Sequence, residues 1–364
     1  MDIFEFVEFA EFITTVEFAF YSKTFINSIN FMNPETSENR SDETERHNFV
    51  NSASSSTSTN FFFNEHGRVR SGWRFLIFQL LFVIFGFPYG IAIELFLKNL
   101  SIVYYKGSVL SFVVPNFILL SLALFFGWLC GKFLEALPFR ALGAWFTKNW
   151  LRDFGFGLAI GAASIGFAVL LAILLGGMRL QMNETSSGSA IFSTLGVSLA
   201  VFVVAAAAEE AYFRGYILQT FTRAHLAWVA IAMTSLFFAS AHLNNQSADW
   251  LSTANTILAG IWFAIAYLKT RNLWFPFGIH LMWNWLQGAF FGIPVSGVTT
   301  LTTAPLLQQT DKGVQLITGG DYGIEGGIAC TITIITSAIL IWFAPFIKPT
   351  QEMLLLTNQE NVKR

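Results

Sequence analysis

The chain is 364 residues long, 54% hydrophobic and only 12% charged, with a net charge of −2 at pH 7 and a mean hydropathy of +0.55. Soluble domains carry roughly 25% charged residues, so this composition argues against a soluble domain and for a polytopic membrane protein whose surroundings are the lipid bilayer. The near-neutral balance gives no reason to invoke nucleic acid, and the two cysteines, Cys130 and Cys330, make neither a disulfide framework nor a zinc-knuckle spacing. Both lie in apolar stretches and read as small buried hydrophobes.

Residues 1–72 are unlike the rest and are expected to form a poorly ordered N-terminal extension. Within residues 1–30, Glu5, Glu8 and Glu11 interleave with Phe6, Phe9 and Phe12. That near-helical repeat predicts a short amphipathic surface helix. It makes a poor signal peptide, because acids stand where a positive n-region belongs. Residues 33–60 are rich in Ser, Thr, Asn and Glu and cannot bury enough apolar surface to order themselves. Met32 opens an alternative start, which would make residues 1–31 dispensable.

A bilayer span needs about 20 apolar residues. Eight such runs follow, over residues 73–97, 108–131, 154–176, 190–213, 226–243, 250–268, 273–291 and 328–347. They define a membrane domain over residues 73–348 and a tail over 349–364. With the N-terminus in the cytoplasm, the even-numbered connections and the flanks collect fourteen Lys and Arg, among them Arg68, Lys132, Arg140, Arg223 and Lys269. The opposite face carries four: Lys98, Lys106, Arg179 and Lys312. This is a strong positive-inside asymmetry. It predicts an all-α membrane bundle of about eight transmembrane helices with both termini cytoplasmic.

Against this apolar background a few polar residues stand out. Glu209 and Glu210 sit inside an apolar run, Val201 to Phe213, and Arg214 follows four residues after Glu210. The acid-first i, i+4 order favours an intrahelical pair. Glu209 projects about 100° away around the helix, so one acid can hold Arg214 while the other faces a cavity. A carboxylate inside a membrane is costly and by default marks function. His242 ends the next run, after a turn expected near His225, and this places it at a depth similar to Glu209. His280 and Asn284, again i, i+4, share one helix face; the same pair also suits interhelical hydrogen bonding.

Glu209, His242, His280 and Asn284 thus form a candidate constellation on three helices. A carboxylate and an imidazole can take a proton from water, and a second imidazole with an amide N–H can stabilise an oxyanion; hydrolysis of a peptide bond fits. Glu209, His242 and His280 are also a donor set for zinc with an open water position. The chain lacks a His-Glu-x-x-His helix, and Asn is a poor zinc ligand, so a metal-free glutamate mechanism without a cofactor is preferred. No Gly-x-Ser-x-Gly elbow supports a serine route.

At these residues the chain resembles the CAAX protease and bacteriocin-processing (Abi) family of intramembrane endopeptidases. The three ordered motifs of that family read here as Glu209-Glu210-Ala-Tyr-Phe-Arg214, Phe238-Ala-Ser-Ala-His242 and His280-Leu-Met-Trp-Asn284. The resemblance covers about residues 150–345. It implies an eight-helix fold with a cavity open to cytosol and lipid, Glu209 as the water-activating base with His242 as partner, His280 and Asn284 at the oxyanion, and Glu210 and Arg214 as ordering residues. The family has been labelled both metalloprotease and glutamate protease. The segment Gly319–Gly327 resembles a glycine-rich element of bacterial members, which suggests a bacterial plasma membrane; the family resemblance further implies an active site toward the cytoplasm and a membrane-associated protein or peptide as substrate.

Two other classes compete: a non-catalytic membrane scaffold or immunity factor that retains the fold, and a proton-coupled transporter with Glu209 and His242 as relay. The halves show no inverted repeat of the kind common in transporters. The long connection over residues 292–327 is expected to cover the outer face, away from the catalytic mouth.

Overall fold

The structure, a computed structural model, describes residues 61–64, 67–100 and 108–357. The expected surface helix of residues 1–30, the polar stretch 33–60, Met32, Lys106 and the end of the tail lie outside the described residues. Just ahead of the first helix, Phe63 bridges Val69, and the buried Arg68 donates through Nη1 to the Glu135 carbonyl at 2.9 Å.

Each predicted run coincides with a helix: α1 (Ser71–Asn99), α2 (Val109–Glu135), α3 (Trp150–Gly176), α4 (Gly188–Arg223), α5 (Ala227–Ser240), α6 (Trp250–Thr270), α7 (Trp274–Trp285, extended by a π-helical turn over Leu286–Phe290) and α8 (Ile328–Phe343). A short α9 (Gln351–Thr357) follows. Five of them, α1 to α4 and α6, are long and apolar enough to cross a membrane, whereas α5 and α8 are shorter apolar helices. The strands among the described residues are one antiparallel ribbon, β1 (Arg179–Met182) against β2 (Leu307–Asp311), with a register shift after Arg179.

Local chemistry sets several boundaries. Ser108 caps α2 by accepting from Ser111 N–H at 3.3 Å. Asp249 and Ser252 form a reciprocal capping box at the start of α6, which satisfies two backbone donors that would otherwise lack partners. Arg271 ends α6 in the left-handed region. The turn expected near His225 lies there: α4 stops at Arg223, His225 has φ +60°, and α5 begins at Ala227.

Two packing features position the site. First, α7 packs more extensively on α3 than any other helix pair. A Cβ on Gly161 would lie 2.5 Å from the Ile279 carbonyl oxygen, one residue before His280. The small residue lets two backbones touch, as small-residue motifs do in membranes. Gly161→Val is expected to push α7 outward, lower the midpoint of thermal unfolding in detergent and reduce activity, since forced overpacking costs about 1–3 kcal/mol; unchanged values of both would refute this role for the contact.

Second, α4 widens into a π-helical segment over Ala211–Ile217 directly after the two glutamates. Such single-turn π segments occur often at functional sites. Farther along α4, Arg223 joins Arg74 of α1 on the carboxylate of Glu135 of α2, at 2.8–2.9 Å. All three are nearly fully buried, and the shared carboxylate ties three helices together.

Candidate active site

Glu210 is the centre of the buried part of the site. It is fully buried, and its Oε1 accepts from Arg214 Nη1 at 3.2 Å and meets His280 Nδ1 at 3.0 Å. Arg214, also fully buried, donates Nη2 to the Gly260 carbonyl at 3.1 Å. Its guanidinium lies against the rings of Phe213, Phe238 and Phe263, with centroids at 4.9–5.5 Å. Those aromatic faces add cation–π attraction in a place where water cannot compete. Thus α4, α6 and α7 are locked together by one ion pair with aromatic walls.

This lock fixes His280. The ring is stacked on Phe263 at 4.6 Å and 17°, and Nδ1 is occupied by Glu210. Its Nε2 therefore faces the other acid, Glu209, whose Oε2 is 3.7 Å away. The Glu209 side chain is 24% exposed, and its Oε2 accepts no hydrogen bond among the described residues. The sequence expectation that one acid holds Arg214 while its neighbour faces a cavity describes this geometry; the additional bond from Glu210 to His280 was not foreseen.

His242 sits in the turn just beyond α5, with Nδ1 at 2.7 Å from the Phe238 carbonyl oxygen. That contact needs a proton on Nδ1 and leaves Nε2 as the acceptor. Asn284 lies one helical turn after His280. Glu209, His242, His280 and Asn284 all line a single narrow cavity of about 60 Å³, enough for water and the end of a side chain. The four residues that the sequence singled out on three helices are brought together.

Other lining residues were not singled out. Trp262, Asn255 and Thr256 come from α6, and Ser296 and Glu325 from the connection after α7. The expectation that this connection stays away from the catalytic mouth is therefore corrected. Asn255 Nδ2 donates to the Glu325 and Gly327 carbonyls at 2.8 and 3.0 Å and draws the glycine-rich turn onto α6. Gly323 makes the turn feasible: its φ is +97°, and a Cβ there would collide with the Pro294 carbonyl. Burial, with the Glu325 charge adding to it, pushes the Tyr322 phenol up to about 12, so this residue beside the cavity stays neutral. The available signal was an acid inside a glycine run with no base beside it.

Among the described residues no three His, Cys, Asp or Glu side chains are placed to hold a metal ion. His280 Nδ1 meets Glu210 and His242 Nδ1 meets the Phe238 carbonyl, which leaves the two Nε2 atoms to face the cavity.

The fold and the cavity define a helical integral membrane protein with a buried carboxylate–imidazole site. Residues 191–286 match the family model described as type II CAAX prenyl endopeptidase Rce1-like. The matched segment holds all three motifs. It is also 27% identical over 150 residues to an uncharacterized 24.3 kDa protein of Escherichia coli; the match covers 39% of this chain and 66% of that protein, just under two thirds of its length. No solved structure is significantly similar to the chain.

Proposed function

We propose that the protein is an intramembrane endopeptidase that hydrolyses a peptide bond near the C-terminus of a membrane-associated protein or peptide, in a bacterial plasma membrane with the site toward the cytoplasm. The observation that carries this reading is the convergence of Glu209, His242, His280 and Asn284 on one cavity, with Glu209 Oε2 accepting no hydrogen bond among the described residues. In this reading water donates one proton toward Glu209 Oε2 and the other toward His242 Nε2, which aims its lone pair at the scissile carbonyl carbon. The new C–O bond forms as Asn284 and the Nε2–H of a His280 imidazolium, whose Nδ1–H stays on Glu210, donate to the carbonyl oxygen. The proton held by Glu209 passes to the nitrogen as the C–N bond breaks, which yields a carboxylic acid and an amine that leave as carboxylate and ammonium once the acid proton passes to the amine.

Glu210 and Arg214 hold His280 in register. Cleavage of a fluorogenic peptide library by purified protein tests the reading. The expected result is endoproteolysis at a rate unchanged by a chelator. Chelator inhibition reversed by Zn²⁺ would replace the metal-free route, and absence of cleavage across the library would remove the peptidase reading.

A further inference from the structure

The cavity has a second carboxylate that the hydrolytic scheme does not use. Glu325 is held by Ser296, whose backbone N–H donates at 2.5 Å and whose hydroxyl donates at 2.9 Å, both to Oε2. Ser296 itself lies at φ +47°, in a turn closed by the Val295–Val298 bridge and fastened by Gly297 N–H to the Tyr322 carbonyl at 2.9 Å. Glu325 Oε2 is thus committed to the protein, whereas Oε1 has no partner among the described residues.

The rest of the lining has a consistent chemistry. It contains two carboxylates, Glu209 and Glu325, and no Lys or Arg. Its apolar walls include the rings of Phe238, Trp262, Phe263 and Trp283. Trp262 is only 1% exposed, and its indole Nε1–H has no acceptor among the described residues. A buried donor without an acceptor is costly. This orphan is independent of the acids and calls for a carbonyl oxygen from a bound molecule. Aromatic faces and a carboxylate together suit a cation on an apolar stem.

We infer that Glu325 is a specificity-determining residue that selects a lysine or arginine side chain flanking the scissile bond, with Trp262 Nε1–H binding a backbone carbonyl of the same substrate. This rests on the reading of the cavity as a peptidase site and extends it to a substrate class. The clamp by Ser296 fixes one carboxylate oxygen, which leaves the other in a set position to accept a charge-assisted hydrogen bond.

The test uses the full-length protein and two peptides that differ only in lysine or norleucine next to the cleaved bond. Binding is read from tryptophan fluorescence with Glu209→Gln protein, and cleavage with protein that keeps Glu209. The lysyl peptide is expected to be favoured by about tenfold in both readouts, a typical value for a hydrogen bond to a charged group. Glu325→Gln is expected to bring that ratio close to one, and Glu325→Lys to shift preference to a glutamyl peptide. Equal binding of both peptides, or a ratio unaffected by Glu325→Gln, overturns the inference even if cleavage proceeds. Lysyl selectivity that depends on Glu325, in protein that cleaves neither peptide, supports the cation pocket and removes the peptidase reading.

Discussion

Glu209→Gln is expected to abolish peptide hydrolysis while leaving the protein folded and inserted. The amide is nearly isosteric with the carboxylate but cannot take a proton from water, and loss of a positioned general base costs about 10²–10⁴-fold in rate. The fold should tolerate the change because Glu209 is not the acid that holds Arg214; that role belongs to Glu210. Glu209 Oε2 has no hydrogen bond to lose among the described residues, and its side chain is partly exposed. Thermal unfolding in detergent should match the unsubstituted protein, with kcat/KM reduced to background. Full activity in this variant would show that Glu209 is not the base.

Arg214→Ala should act in the opposite way, through the fold first. The guanidinium is fully buried, pairs with Glu210, donates to Gly260 and fills the space among three aromatic rings. Its removal leaves the Glu210 carboxylate buried beside His280 alone. Breaking a buried pair by deleting one partner costs about 3–5 kcal/mol, so a large drop in unfolding midpoint is expected together with lost activity. Arg214→Lys keeps the charge but not the forked geometry that reaches both Glu210 and Gly260, and should recover part of the stability. Unchanged stability in Arg214→Ala would show that the ion pair does not hold α4, α6 and α7 together.

Features that follow from local spacing were legible in the sequence. The apolar runs from Trp73 mark where α1 to α8 lie, and the acid-first spacing of Glu210 and Arg214 gives their pairing. The different angular positions of Glu209 and Glu210 on one helix led to the division of labour seen here. The His225 turn located the α4–α5 hairpin and so brought His242 toward Glu209.

What was hidden depends on contacts between distant segments. Glu325 reaches the cavity only because Asn255 draws the glycine-rich turn to α6 and Ser296 orients the carboxylate. The bond between Glu210 and His280 joins residues on separate helices. Nothing in the sequence around Gly161 says which helix it meets; the meeting with α7 is a tertiary fact. Of the eight predicted runs, α1 to α4 and α6 are long and apolar enough to cross a membrane, whereas α5, α7 and α8 are shorter helices.

Hydrolysis in oxygen-18 water under single-turnover conditions tests the central claim most directly. If water held by Glu209 and His242 attacks the carbonyl carbon, the new C-terminal carboxylate carries one labelled oxygen and the Glu209 side chain carries none. Label recovered in the Glu209 carboxylate, with the product carboxylate unlabelled in the first turnover, would mean that Glu209 attacks the substrate itself, and would contradict the account.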